Sequence, residues 1–400
     1  MSMQVNHAPV FFSLDGSVPI NLFGSLTTPC YILDEKQLEE NCKTLASVMA
    51  HTGCKILLAQ KAFSNYDLYP LLSKYLAGSE SSGLYEARLG KEEMPNGEVH
   101  VFCAAYRDDE FEELLSYADH IVFNSVAQLK RFGKRAKEAG KSIGLRINPE
   151  CSTQEGHEIY DPCAAGSRLG VTRAVFDRQM DEESLAMLDG LHFHTLCEQN
   201  SDALAVTLTT VEEKFGDILP KMNWLNMGGG HHITKEGYDI PLLERSISYA
   251  REKWSVEVYL EPGEAVALNA GYLASRVLDI VENGNTKIAI LDVSAACHMP
   301  DVIEMPYTPP LYQSVEGGKY TYRLAGPTCL SGDVIGNYTL AAPLNIGDML
   351  LFGDMAIYTT CKNNTFNGMP LPNIYSMDAD KTLRRLTEFG YSDFKKRLGK

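Results

Sequence analysis

The sequence predicts an α/β fold: a (β/α)8 barrel of the TIM type joined to a second, mainly β domain. Three observations carry this expectation. Short apolar runs alternate with helix-period segments from about residue 54 to residue 263 of the 400-residue chain. Eight such runs fit into that stretch, which is the strand count of a (β/α)8 barrel, whereas doubly wound sheets usually have about five or six. After Gly263 the texture changes to alternating or apolar strands with Gly, Pro and Asn turns and no long helix between them.

The elements follow in order. A helix precedes the barrel: Asp34 and Gln37 read as a capping box, Leu38, Cys42, Leu45 and Met49 form one apolar stripe, and Gly53 ends it. Candidate barrel strands are CKILLAQK (54–61), a short one at 79–83, VHVFCAA (99–105), HIVFNS (120–125) and SIGLRIN (142–148). GLHFHTL (190–196), WLNMGGG (224–230) and VEVYLEP (256–262) complete the eight. Helix patterns at Asp67–Leu76, Asp108–Tyr117, Val126–Ala139, Ala203–Leu219 and Pro241–Lys253 lie between them. Continuous apolar strands of this kind belong in a parallel sheet covered on both faces. The chain is therefore read as a barrel over 34–263 and a β domain over 264–400, to which 1–33, with apolar VFFSL and PCYIL, adds strands. The tail KTLRRLTEFGYSDFKKRLGK reads as one amphipathic helix with Leu383, Leu386, Phe389 and Phe394 on one side.

Composition narrows the function. A formal charge of −16, from 36 basic and 52 acidic residues, disfavours a nucleic-acid or anionic-membrane binder and favours a cationic small molecule. No apolar run approaches the roughly 18 to 20 residues that span a bilayer, and the first residues lack the basic start of a secretory signal. The ten cysteines are scattered without a Cys-x-x-Cys pair, so neither a zinc knuckle nor a disulfide scaffold is indicated. A reducing cytoplasm is the expected compartment.

In a (β/α)8 barrel the chemistry sits at the C-terminal strand ends. Here those ends carry Lys61, Glu80, Arg146, His194, Gly228-Gly229-Gly230-His231 and Glu261. Three glycines after the seventh strand let backbone N–H groups approach an anion, where barrels often hold a phosphate. A lysine among apolar strand residues suits bonding to an aldehyde through its amine. A lysine, a phosphate cradle and an isolated carboxylate together suit pyridoxal phosphate, with Glu261 on the pyridine nitrogen. At about 4 Å and an effective dielectric near 20, such a carboxylate favours the protonated ring by roughly 4 kcal/mol. A protonated ring is the stronger electron sink.

The ordered set AQKAFS, SRLGV, GLHFHTLCEQ, NMGGGHH, EPGEA and GPTCLSGD resembles the fold-type III pyridoxal-phosphate decarboxylases, which include ornithine and diaminopimelate decarboxylases. The likeness runs over most of the chain. It implies that Lys61 holds the cofactor aldehyde, that His194 stacks on the ring, and that Gly228, Gly229 and Gly230 bind the phosphate. It further implies Cys197 near that phosphate, Glu261 at the ring nitrogen, Arg146 at the cofactor end of the site, and Tyr358 as a C-terminal phosphate contact. Cys329 matches the residue that protonates Cα after carbon dioxide leaves. Cys329 and Asp333 would reach into the other subunit's site, so the resemblance implies a homodimer.

Two positions depart from the pattern. Glu264 stands where ornithine and diaminopimelate decarboxylases carry an arginine, and Leu330 stands where ornithine decarboxylases have an aspartate. Exchanging cation for anion suits a cationic carboxy-polyamine substrate, with Glu264, Asp301 and Asp333 as candidates for its amines. Three other readings stay open: a racemase or a decarboxylase of diaminopimelate, ornithine or arginine, a metal-dependent barrel hydrolase using His192, His194, His231 and His232, and a non-catalytic cofactor-binding homologue. Retained Lys61 and Cys329 argue against the last.

Overall fold

The computed structural model describes residues 20–154 and 161–400, so the VFFSL segment (10–14) lies outside the described residues. The chain forms two compact units, one of Glu39–Val266 and one of residues up to Leu38 together with Ala267–Lys400.

The first unit is built on a closed parallel barrel of eight strands. They are β2 (Lys55–Ala59), β3 (Gly78–Ser81), β4 (Glu98–Phe102), β5 (His120–Phe123), β6 (Ser142–Arg146), β7 (Gly190–His192), β8 (Trp224–Asn226) and β9 (Glu257–Leu260). Closure comes from pairing of Lys55 with Tyr259 and Ile56 with Leu260. The expected strands are all present. Helices Leu84–Glu93, Asp108–Tyr117, Val126–Glu138, Ser201–Phe215 and Ile240–Trp254 connect them. The segment expected as a helix at Asp67–Leu76 is shorter, a 3-10 turn at Tyr66–Leu68 and one helical turn at Tyr69–Leu72 with Pro70 at its start.

Local chemistry explains the ends. Asp34 Oδ1 accepts from the N–H groups of Lys36 and Gln37 at 3.1 Å each, which starts helix Glu35–Thr52, and Gly53 leaves it at φ +67. Ser125 accepts from Gln128 N–H and starts Val126–Glu138. The lower barrel interior is filled by Leu57, Val122, Trp224 and Tyr259. Gly144 and Gly190 make room for Trp224: a Cβ on either would lie 2.2 or 2.0 Å from the indole.

The second unit is an eight-stranded sheet in the order β13-β12-β11-β10-β1-β15-β16, with β14 also on β10. Its strands are β1 (Cys30–Asp34), β10 (Gly271–Asn283), β11 (Thr286–Leu291), β12 (Tyr320–Ala325), β13 (Val334–Leu340), β14 (Met349–Gly353), β15 (Asn373–Met377) and β16 (Leu383–Thr387). The PCYIL segment does supply a strand, β1, paired antiparallel to β10 and parallel to β15. The tail departs from expectation. Leu383–Thr387 pairs antiparallel with β15, and only Tyr391–Leu398 is helical.

Because the barrel strands are parallel, their first residues share one end, the floor. There Glu98 Oε2 lies 3.0 Å from His100 Nε2, and the rings of His100 and His120 stack at 3.9 Å. Lys55 bonds Glu98 and lies 3.1 Å from Glu257. Burial, reinforced by His100 and Lys55 and opposed by Glu98, holds His120 down to about 3. The unfolded chain binds this proton near pH 6.5, so His120 contributes its full stability above that pH and loses it on acidification towards pH 3. The slope is about 1.4 kcal/mol per pH unit for one such group. His120→Phe, which keeps a ring in the stack, is expected to reduce the acid-side slope of unfolding free energy by about that amount. Urea denaturation over a pH series measures it, and an unchanged slope rejects the assignment.

Candidate active site

The other end of the barrel is its mouth, and a buried carboxylate organises it. Glu261 follows the last residue of β9, and its N–H donates to Gly228 O at 2.8 Å. Its Oε2 lies 3.0 Å from His192 Nε2, and its Oε1 accepts from the Asn226 amide. His192 ends β7 and Asn226 ends β8, so three neighbouring strands converge on one carboxylate. Burial alone would raise this carboxyl, but the two N–H donors hold it below the ordinary carboxylate range. Burial pushes His192 the other way, towards the neutral imidazole. A neutral ring that gives Nε2–H to Glu261 leaves Nδ1 as an acceptor, and that atom has no partner among the described residues.

His194 stands two residues beyond His192, on the same side of the chain. Its Nδ1 accepts the Gly229 N–H at 3.0 Å, which fixes the ring's tautomer and orientation. Burial, with the charges of Lys61 and Arg146 close by, pushes His194 well below the usual histidine range. Arg146, at the end of β6, donates Nη2 to His194 O at 3.2 Å and lies over the Phe102 ring at 4.5 Å. Phe102 in turn stacks on His192 at 5.6 Å. Burial lowers the guanidinium to about 10, which leaves it charged.

The glycine turn is a cradle. Gly228 and Gly230 have φ of +68 and +81, and a Cβ on Gly230 would lie 2.1 Å from Leu196 O. Gly228 N–H donates to Asn226 Oδ1 at 2.9 Å, and Gly229 N–H is given to His194. Two of the three glycine donors are therefore committed inside the protein, and the donors the turn can offer a phosphate begin at Gly230. Cys197 lies beside it: the same added Cβ would stand 2.9 Å from Cys197 N.

Lys61 lies in the turn after β2, where Ala62 and Phe63 N–H groups bond back to Ala59 and Gln60 at 3.1 Å. Glu80, in β3, is buried, and its Oε2 has no partner among the described residues. Burial first, and repulsion from Glu261 second, lift it far above the ordinary carboxylate range. Glu264 Oε2 is 3.5 Å from Nε2 of buried His232, and Glu198 completes a group whose ligand-type atoms lie within 4.8 Å of one another.

The remaining expected residues belong to the sheet unit. Cys329 is exposed in the turn between β12 and β13, and its N–H donates to Asn367 Oδ1 at 3.2 Å. Asp333 is buried and holds that turn. Its oxygens accept from Ala295 N–H at 2.7 Å, Thr328 Oγ1–H at 2.7 Å and Thr328 N–H at 3.3 Å. Asp301 is likewise paired, with Lys362, which also bonds Glu304. Tyr358 precedes the turn Thr359–Lys362 with φ +58, an uncommon conformation for an aromatic residue.

The barrel residues fit pyridoxal phosphate: a turn with no room for a Cβ, an ionised buried carboxylate, a neutral fixed imidazole and a lysine at the end of β2. The sequence assigns no role to Asn226 or Phe102, and to His192 only that of a metal ligand in the hydrolase reading. The alternation His192-Phe193-His194 and a lone Asn ahead of the glycines in an apolar run were the available signals.

Comparison with known proteins agrees. Residues 30–356 match the family model described as pyridoxal-dependent decarboxylase, C-terminal sheet domain. A carboxynorspermidine/carboxyspermidine decarboxylase of Campylobacter jejuni is 42% identical, over 93% of this chain and 98% of its own length. A carboxyaminopropylagmatine decarboxylase of Synechocystis is 38% identical, over 94% and 96%. The crystal structure of Campylobacter jejuni carboxynorspermidine decarboxylase complexed with norspermidine matches with a TM-score of 0.85 at 42% identity, covering 93% of this chain and 100% of that one. The chain belongs to the family of pyridoxal-dependent decarboxylases.

Proposed function

We propose that this enzyme decarboxylates carboxynorspermidine or carboxyspermidine, leaving norspermidine or spermidine. The observation that carries the reaction type is the ionised Glu261, held by His192 and Asn226 at the barrel mouth. Pyridoxal phosphate, when bound, supplies the electron sink that lets the bond between Cα and the carboxylate break. Lys61 would hold the cofactor aldehyde through its amine. Neutral His194 offers a flat face. Glu261 would favour a proton on the ring nitrogen, and Gly230, Cys197 and Arg146 would hold the cofactor in place. The Cys329 thiol delivers a proton to Cα, and Asp333 acts through the backbone by holding the Cys329 turn.

The substrate class rests on the relatives at 42% and 38% identity and on Glu264, an acid suited to a cationic amine. We read the active species as a cytoplasmic homodimer in which Cys329 serves the site of the other copy. The likeness to the fold-type III decarboxylases, whose sites are shared between subunits, supports that reading, and Cys329 is exposed in its turn.

Steady-state kinetics test the reading. The expected result is turnover of carboxynorspermidine and carboxyspermidine far above diaminopimelate and ornithine. One methylene separates the two preferred substrates and is worth about 1–3 kcal/mol in kcat/KM. Turnover of diaminopimelate alone would overturn the assignment, and carboxyaminopropylagmatine is the third polyamine to include. Cys329→Ala is expected to lower kcat by roughly 10²- to 10⁴-fold with little change in cofactor absorbance. An unaltered kcat removes Cys329 from the reaction. Gly230→Ala adds a Cβ into the cradle at positive φ and is expected to weaken pyridoxal phosphate binding by about tenfold or more, near 1.4 kcal/mol. A fluorescence titration that returns the wild-type constant contradicts the cradle.

A further inference from the structure

Among the polar residues at the mouth, Glu80 has no part in the reaction as described. Strand β3 shows which way it faces. Ser79 Oγ lies 2.3 Å from where a Cβ on Gly90 would stand, so Ser79 faces the helix Leu84–Glu93 outside the barrel. Ser81 Oγ accepts from Gln60 Nε2 at 2.9 Å, and Gln60 Nε2 also donates to Glu86 O in that helix. Alternation along a strand then turns Glu80 into the barrel. Its carbonyl accepts from Gln60 N–H at 3.1 Å, one residue before Lys61.

The charged and titratable groups around Glu80 come from every side. They are Glu261 beyond β9, Lys61 beyond β2, Arg146 at the end of β6, Glu86 in the helix after β3, and Cys103 and Tyr106 beyond β4. Two carboxyls in one lumen do not both ionise readily. Glu261 has two N–H donors and takes the charge, whereas Glu80 Oε2 is buried with no partner among the described residues. A buried acid that lacks a donor is the one that keeps a proton, and a buried polar atom without a partner calls for an explanation.

We propose that Glu80 is the proton carrier of Lys61. The Lys61 nitrogen loses a proton before it can bond to the cofactor aldehyde and regains one when it is released. Once ionised, Glu80 takes that proton in the first event, forming an O–H bond as an N–H bond breaks, and returns it in the second. Only a proton moves, and no oxidant or reductant is required. The inference rests on the cofactor chemistry of the family and not on the choice of polyamine.

Capture of pyridoxal phosphate by the apoenzyme, followed by visible absorbance over a pH series, tests this without any substrate. Wild-type protein is expected to show a step in capture rate above neutral pH. Glu80→Gln, which keeps the shape and cannot exchange a proton, is expected to slow capture by roughly 10²-fold and to lose the step. Glu80→Asp is expected to retain it. A Glu80→Gln profile that overlays wild type overturns the proposal. If that variant does not fold, infrared spectra of wild-type apoenzyme decide: the carbonyl stretch of a protonated carboxyl must disappear between neutral and alkaline pH, and its absence at neutral pH overturns the proposal. Failure here leaves the substrate reading intact, and failure of the polyamine kinetics leaves this one intact.

Discussion

A negative charge taken out of water is the constraint around which the barrel mouth is built. Moving a carboxylate into a protein interior costs several kcal/mol unless donors replace the lost water. Glu261 meets that condition because β7, β8 and β9 end together, which brings the His192 ring and the Asn226 amide to its two oxygens. The strand register is therefore part of the electrostatics. A one-residue slip in β8 would send Asn226 to the outer face and leave Glu261 with one donor. The same constraint reaches Glu80, since a second ionised carboxyl in that lumen would be repelled by the first.

Asn226 joins the two ends of the site. An amide has one acceptor oxygen and two donor hydrogens. Asn226 spends the oxygen on Gly228 N–H and a hydrogen on Glu261, so one residue with no exposed surface links the phosphate turn to the carboxylate. An aspartate there would add a second anion against Glu261 and lose that donor. His194 is tied in by the next glycine, through Gly229 N–H. Cradle, imidazole and carboxylate thus form one hydrogen-bonded piece, in which moving any member disturbs the other two.

Much of this was legible in the sequence, for a physical reason. A parallel strand covered on both faces needs few polar residues, so several barrel strands, though not β3 (GSES), are mainly apolar runs and the polar residue ending them stands out. Lys61, Arg146 and Glu261 stand at or just beyond such ends. The tail was misread because Leu383 and Leu386 are spaced as on a helix, while their backbone had an edge strand, β15, to pair with. Partners distant in sequence left no mark either. That Asp333 serves Ala295, that Asp301 meets Lys362, and that the Gly229 N–H goes to His194 depend on contacts no local pattern records.

The interleaving of the two units bears on how the chain is made. Strand β1 is buried throughout, yet Cys30 pairs with Ala274 on one side and Asn373 on the other. On the ribosome it must wait for the whole barrel to be synthesised before its first partner exists, on the order of tens of seconds at about 5–20 residues per second. During that interval an apolar strand has no sheet to join, which makes it a natural client for a chaperone. The barrel, a single uninterrupted stretch of chain, can complete its own folding first.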